Sequence, residues 1–174
     1  LTALAFHVKA LARALCDFPR FNASLTSDGE RLVLKGYVHI GIAVDTEYGL
    51  MVPVIRDVNE KGLWQIASEI SDLAKRAQAR KIKPEEMGGA SMTITNLGGI
   101  GGTAFTPIVN PPEVAILGLT RTEMTPVWNG EVFAPVPMVP LDLSYDHRVI
   151  NGAEAARFVA HLAGLIADPR ELLV

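Results

Sequence analysis

The chain has 174 residues, 49% of them hydrophobic and 20% charged, with a formal net charge of −3. That length and balance suit one compact domain and exclude a disordered or fibrous chain, and the slight acidity gives no electrostatic basis for nucleic-acid or membrane-surface partners. A single cysteine, Cys16, excludes an internal disulfide and any multi-cysteine metal site, and no apolar run reaches the ~20 residues of a membrane helix or has signal-peptide anatomy.

Leu1, Leu4, Val8, Leu11 and Leu15 recur at three- and four-residue steps, with Lys9, Arg13 and Asp17 on the other side. This predicts an amphipathic helix that Pro19 ends. A hairpin-like stretch follows: RLVL at 31–34, Lys35–Gly36, then YVHIGIAVDT at 37–46, whose β-branched content predicts a strand. GLMVPVI at 49–55 reads as another strand, and Pro53 places that part on an edge or bulge. Leu63, Ile66, Ala67, Ile70, Leu73, Ala74 and Ala77 form the stripe of a second helix, with Asp72 and Arg76 paired at i,i+4 spacing on its outer face. KPEEM at 83–87 predicts a short helical turn with proline near its start. Strands are predicted at SMTIT (91–95), VAILGLT (114–120) and VFAPVPMVPLDLSYD (132–146). A last helix over 152–167 turns Phe158, Val159, Leu162, Leu165 and Ile166 inward. Helices and strands mix without repeat or linker, which predicts an α/β domain over 1–174, a mixed sheet with helices packed on it.

NLGGIGG at 96–102 lacks a following Gly-Lys-Ser/Thr, the G-x-G-x-x-G spacing and an immediate helix, so its glycines read as backbone devices rather than a phosphate loop. His7 and His161 fall in helices, His39 in a strand, and none has metal-ligand spacing; Cys16 sits in a helix with no adjacent histidine. All four read as structural, and no metal is expected. His147 differs in its setting. An apolar strand ends just before it and a helix starts just after, so its ring projects where backbone pairing stops. That suits a catalytic base. It also suits a purely structural turn, in which Asn151 and Glu154 make a helix-capping pair and Asp146 and Arg148 a local ion pair. The residues alone leave both readings open.

SYDHRVINGAEAARF at 144–158 resembles the D-H-R-x-x-D/N-G signature of the catalytic core of dihydrolipoamide acyltransferases, the central subunits of 2-oxo-acid dehydrogenase complexes. FPRFNAS at 18–24, HIGIAVDTEYGLMVPVIRD at 39–57, MTITNLGGIGGTAFTPIVNPPEVAILG at 92–118 and the terminal DPRELLV resemble further family blocks in family order. The proline-rich loop and PEVAILG look most like the acetyl-transferring bacterial members of the pyruvate complex. The resemblance implies a chloramphenicol-acetyltransferase-like two-layer fold, trimers with active sites between subunits, and acyl transfer between a lipoyl-lysine and coenzyme A without a metal. It places His147 at the general-base position and Thr95 at the Ser/Thr position that steadies the oxyanion across the interface. Asn151 stands where most members carry Asp, which leaves hydrogen bonding and capping but no negative charge.

Several further expectations come with it. The family's core begins upstream of Leu1, so the chain is expected to be N-terminally truncated, and no stretch resembles a lipoyl domain or the small domain that binds peripheral subunits. Partners would be a lipoyl domain and the pyruvate dehydrogenase and dihydrolipoamide dehydrogenase components, reached through domains absent from this chain, in the cytoplasm of a bacterium or in the mitochondrial matrix. Trimers would build a cage, cubic rather than icosahedral, docked through Leu172, Leu173 and Val174, aliphatic residues expected to be exposed at the terminus. Three rivals stand beside the acetyl reading. One is a core for succinyl or branched-chain groups. Another is a silent structural core subunit, which would be expected to lose His147. The third is an acetyltransferase for small hydroxyl compounds, whose motif usually reads H-H-x-x-x-D-G where this chain has Asp146 before His147.

Overall fold

The computed structural model describes residues 1–173, Leu173 by its backbone alone. Helix α1 (Ala3–Asp17) is followed by a 3-10 turn at Pro19–Phe21, where proline closes off the helix. Strands β1 (Ala23–Leu25) and β2 (Leu32–Leu34) come next, then β3 (Ile40–Ile42), β4 (Val44–Thr46), β5 (Gly49–Met51) and β6 (Val54–Ile55). Helix α2 (Leu63–Gln78) leads through a 3-10 turn at Pro84–Glu86 to β7 (Met92–Asn96). The chain closes with β8 (Ala115–Leu119), β9 (Glu123–Trp128), β10 (Phe133–Met138), β11 (Leu141–Tyr145) and α3 (Gly152–Ala167).

The main sheet has the order β11-β8-β7-β3-β6. Its centre is parallel, β3 with β7 and β7 with β8, and its two outer pairs are antiparallel. Alternate residues face the helices: Met92 and Ile94 of β7 and Ala115, Leu117 and Leu119 of β8 join one buried cluster with all three helices. Helix α1 is the middle helix, touching both α2 and α3. It therefore buries more than a stripe. Ala5, Ala10, Ala12 and Ala14 are fully buried, small enough for close helix approach. Lys9, expected on a free outer face, donates to the carbonyls of Asn59 and Lys61 at 3.0 and 2.8 Å. Phe158 of α3 stacks on Phe21 at 4.1 Å, joining the last helix to the first turn.

The helices fall where periodicity places them, and Asp72 and Arg76 meet at 2.7 Å. Three strand expectations need correction. β2 pairs with β1, not with the strand after Lys35–Gly36, because the chain reverses earlier, at Thr26–Arg31, where Gly29 takes φ 76. The stretch 37–46 is split: Ala43 still donates to Ile94 of β7, and Val44–Thr46 then peels away to pair with β5. The long run 132–146 is two strands, and its first part, β10, pairs with β9, which the sequence reading did not anticipate. Pro53 does lie by the sheet edge, between β5 and edge strand β6, where only its carbonyl is used, accepting from Ile42 at 2.8 Å. Among the described residues no helix is long and apolar enough to cross a membrane.

Candidate functional site

β11 carries the chain out of the sheet beside β8. Its last ladder contact is continued by Asp146, whose amide donates to Val114 at 2.8 Å. A tight turn follows, in which the amides of Val149 and Ile150 both donate to the Asp146 carbonyl at 3.0 Å. The Asp146 carboxylate accepts the Arg148 amide at 3.0 Å and grips the guanidinium with both oxygens, Nη2 at 2.7 Å. That pairing holds the Asp146 carboxyl below its ordinary range. Val149 and Ile150 are buried, so the turn is anchored from beneath and His147 stands exposed at its tip, its ring 5.5 Å from that of Tyr145.

A second tether was not foreseen from the sequence. Arg20, in the Pro19–Phe21 turn, donates through Nη2 to the Val149 carbonyl and stands 3.5 Å from the Glu154 carboxylate. Its only sequence signal was membership of the FPRFNAS block; a bond to a residue 129 positions away leaves no local pattern. Asn151 is the N-cap of α3. Its side-chain oxygen accepts from Glu154 N at 2.9 Å, and the Glu154 carboxylate accepts from the Asn151 amide at 3.2 Å, a complete capping box. The cap and the local ion pair are both present, and they hold the turn while leaving the His147 ring exposed.

Thr95 lies elsewhere. It is half-buried on β7, opposite Gly118 of β8, and looks away from the helices. It lines an apolar cavity of about 390 Å³ with Thr93, Leu50, Phe105 and Ile108. Gly118 lets the Phe105 ring that walls this cavity lie against β8, where a Cβ would stand 2.7 Å from it. In register, Thr95, Gly118 and Asp142 are level across three strands. His147 is two strand spacings to the side and five residues further along, so the hydroxyl and imidazole of one chain are roughly 15–20 Å apart. The structure does not bring the two together within a chain.

Of the remaining histidines, two are held by partners and one is simply buried. His39 Nδ1 accepts the Asp57 amide at 2.9 Å, its ring stacks on Tyr37, and burial lowers its pKa. His7 is buried in α1 with its pKa lowered by burial, and His161 meets Asp17 at 3.0 Å. Cys16 is exposed beside Lys9 and Arg13, so its thiol is not the packing group that the sequence reading made it. Leu172 is also corrected. It is 6% exposed and belongs to the chain's own core, because the 3-10 turn Pro169–Leu173 folds back against α1. The Leu173 side chain and Val174 lie outside the described residues. Among the described residues no three His, Cys, Asp or Glu side chains gather where a metal ion could be held.

The model of the 2-oxoacid dehydrogenases acyltransferase catalytic domain matches residues 1–174. The dihydrolipoyllysine-residue acetyltransferase component of the Pseudomonas aeruginosa pyruvate dehydrogenase complex is 57% identical over 100% of this chain, which spans 32% of that relative's length. Among solved structures, the Azotobacter vinelandii dihydrolipoamide acetyltransferase superposes with a TM-score of 0.98 at 55% identity, covering 100% of this chain and 72% of that one. In that acetyltransferase a serine, a histidine and an asparagine have been investigated for their role in the catalytic mechanism, and they are spaced as Thr95, His147 and Asn151 are here. The cubic core of a pyruvate dehydrogenase multienzyme complex also superposes with a TM-score of 0.98, at 56% identity and with coverage of 100% and 72%. Chloramphenicol acetyltransferase, 14% identical, shares the fold, with a TM-score of 0.58 over 94% of this chain and 77% of that one.

Proposed function

This chain belongs to the 2-oxoacid dehydrogenase acyltransferases, as their catalytic domain, and on that premise we propose that it moves an acetyl group between the dihydrolipoyl-lysine of a lipoyl domain and coenzyme A. One observation carries the reading: His147, Asn151 and Thr95 stand at the intervals of the three residues studied in the Azotobacter acetyltransferase. The turn supports it by presenting an imidazole to solvent on a frame fixed by Asp146, Arg148 and Arg20.

In the forward step His147 takes the proton of the coenzyme A thiol as sulfur attacks the thioester carbonyl. Thr95 Oγ1 donates to the oxygen that becomes negative. As the tetrahedral intermediate collapses, the lipoyl sulfur leaves and recovers the proton from the imidazolium. A thiol is an intrinsically weaker acid than an imidazolium, so complete proton transfer before attack would be uphill. Proton removal within the transition state avoids that cost and contributes ~10²–10⁴ in rate. A hydroxyl on the oxyanion contributes ~10²–10³. Base and donor must both reach the reacting thioester, about 3 Å from each. With ~15–20 Å between them in one chain, His147 of one subunit works with Thr95 of another. We accordingly place the chain in a trimer whose sites lie between subunits and whose trimers build a cubic cage, as in the solved cubic core.

The test is complementation. Thr95→Ala and His147→Ala proteins, each impaired in acetyl transfer from acetyl-CoA to dihydrolipoamide, recover activity when dissociated together and reassembled. Mixed assemblies no better than the two parents would rule out the shared site. Running succinyl- and branched-chain acyl-CoA alongside acetyl-CoA tests the acyl group, and a faster succinyl or branched-chain reaction would replace the acetyl assignment.

A further inference from the structure

Glu113 ends the loop before β8 and is 7% exposed. Its Oε1 accepts from Thr93 Oγ1 at 2.9 Å and from Asn110 Nδ2 at 3.2 Å. Its Oε2 is buried and has no partner, and the Oγ of Ser24 is in the same condition. Both residues line one cavity of about 170 Å³, together with Lys35, Val52 and Met87. Lys35 Nζ donates to the Ala90 carbonyl at 2.7 Å. Burial lowers the pKa of this ammonium, and the charge of Glu113 raises it again. Burial pushes the Glu113 carboxyl up, against the pull of its two hydrogen bonds. Two orphaned polar atoms on residues that line one cavity are uncommon in a folded chain, and water or a ligand entering the cavity would satisfy them. At about 30 Å³ per water, the space holds several waters or a short length of a chain-like ligand.

The chamber adjoins the Thr95 cavity, since Val52 and Asn110 line both. Thr93 and Thr95 are neighbours on the same face of β7, about 7 Å apart, and Glu113 is bonded to Thr93. The chamber therefore opens about 10 Å from the Thr95 hydroxyl. Glu113 Oε2 asks for a donor, whereas Ser24 and Lys35 offer donors. A group with one N–H and one C=O side by side answers both; a carboxylate would set a second acceptor against Glu113.

Resting on the acyl-transfer reading above, we propose that this chamber seats an amide of the arm that bears the reacting sulfur, making Glu113 a determinant of specificity for amide-bearing thiols. Two arms have an amide about 10 Å from sulfur when extended: the dihydrolipoyl chain and the pantetheine of coenzyme A, through its second amide.

The experiment is steady-state acetyl transfer by the assembled full-length protein and its Glu113→Gln and Ser24→Ala variants. Dihydrolipoamide is compared with dihydrolipoic acid as acceptor, and acetyl-CoA with S-acetyl-N-acetylcysteamine, which lacks the second amide, as donor. Glutamine can keep the bonds to Thr93 and Asn110 through its oxygen and turns an N–H into the chamber, so the acceptor becomes a donor. We expect Glu113→Gln to raise the KM for dihydrolipoamide about tenfold, with dihydrolipoic acid unchanged or improved, and Ser24→Ala to act in the same direction more weakly. The same pattern on acetyl-CoA against the truncated donor assigns the amide to pantetheine instead. KM values that move together for all four substrates, or not at all, overturn the proposal and leave a chamber of water. Should Glu113→Gln not fold, Ser24→Ala decides by the same comparison. Wild-type protein without acetyl transfer sinks the functional reading and this inference with it; wild-type transfer with unaltered amide preference in the variants sinks the inference alone.

Discussion

Strands β8 and β9 are separated by only three residues, yet their surroundings are opposite. All five residues of β8 are buried, and all six of β9 are exposed. β8 lies between β7 and β11, with helices over one face and Phe105 over the other. β9 has one neighbour, β10, and the pair projects Met124, Trp128, Phe133 and Met138 into open space. Two-stranded ribbons are marginal alone, and contiguous apolar exposure marks an interaction surface. The difference separates what the chain buries by itself from what it leaves in the open. His147 belongs with the second group, on a rigid frame but facing outward. So does Thr95, whose cavity is lined by no titratable side chain among the described residues.

The sharpest test of that division is His147→Ala. The side chain is exposed, so thermal stability should be unchanged, while acetyl transfer should fall by ~10²–10⁴, or about 2.7–5.5 kcal/mol of transition-state stabilisation. A variant that unfolds at lower temperature would move His147 into the buried group. Leu117→Ala is the converse. Leu117 is fully buried in the core, and its truncation should cost ~2–5 kcal/mol in denaturant unfolding, with activity per folded molecule retained.

Acidity should act on the closed region as well. His39 and His7 have folded pKa values lowered by burial, so the unfolded chain binds their protons more readily. Their contribution is present above the unfolded value near ~6.5 and is lost as pH falls through it toward the lower folded values. Unfolding free energy measured from pH 7.5 to 5.5, to the nearest half unit, should decline, and His39→Gln, which keeps an acceptor for the Asp57 amide, should flatten part of that slope. The smallest effect on the chain itself should come from Trp128→Ala with Phe133→Ala: within about 0.5 kcal/mol for the core, yet a shift to smaller species in sedimentation. An unchanged particle would show that the ribbon contacts no neighbour.

Local periodicity made much of the molecule readable in advance. The stripes of α2 and α3 matched their buried faces because a helix repeats every 3.6 residues whatever it packs on. The ribbon was half missed, and the reason is visible. Pro126, Pro135 and Pro137 interrupt the alternation, and Pro126 sits directly opposite Pro135, where neither residue has an amide to give. The Asn129–Gly130 turn, with Gly130 at φ 108, is the one hairpin signal that this stretch of sequence retains. At the site, the position of His147 and the capping pair of Asn151 with Glu154 were readable because they are local. Arg20 and Glu113 were not, since each acts on a partner far along the chain, Val149 in one case and Thr93 in the other.

By itself, the sequence determined the three helices, the apolar strands β7 and β8, and a histidine placed where a strand gives way to a helix. These follow from spacing between near neighbours, which the chain carries before it folds. Tertiary structure alone decided that β2 turns back on β1, that Leu172 is spent on the chain's own core, and how far Thr95 and His147 of one chain stand apart, roughly 15–20 Å. Strand order and burial depend on which distant segments exclude water together, and no short window of sequence holds both partners.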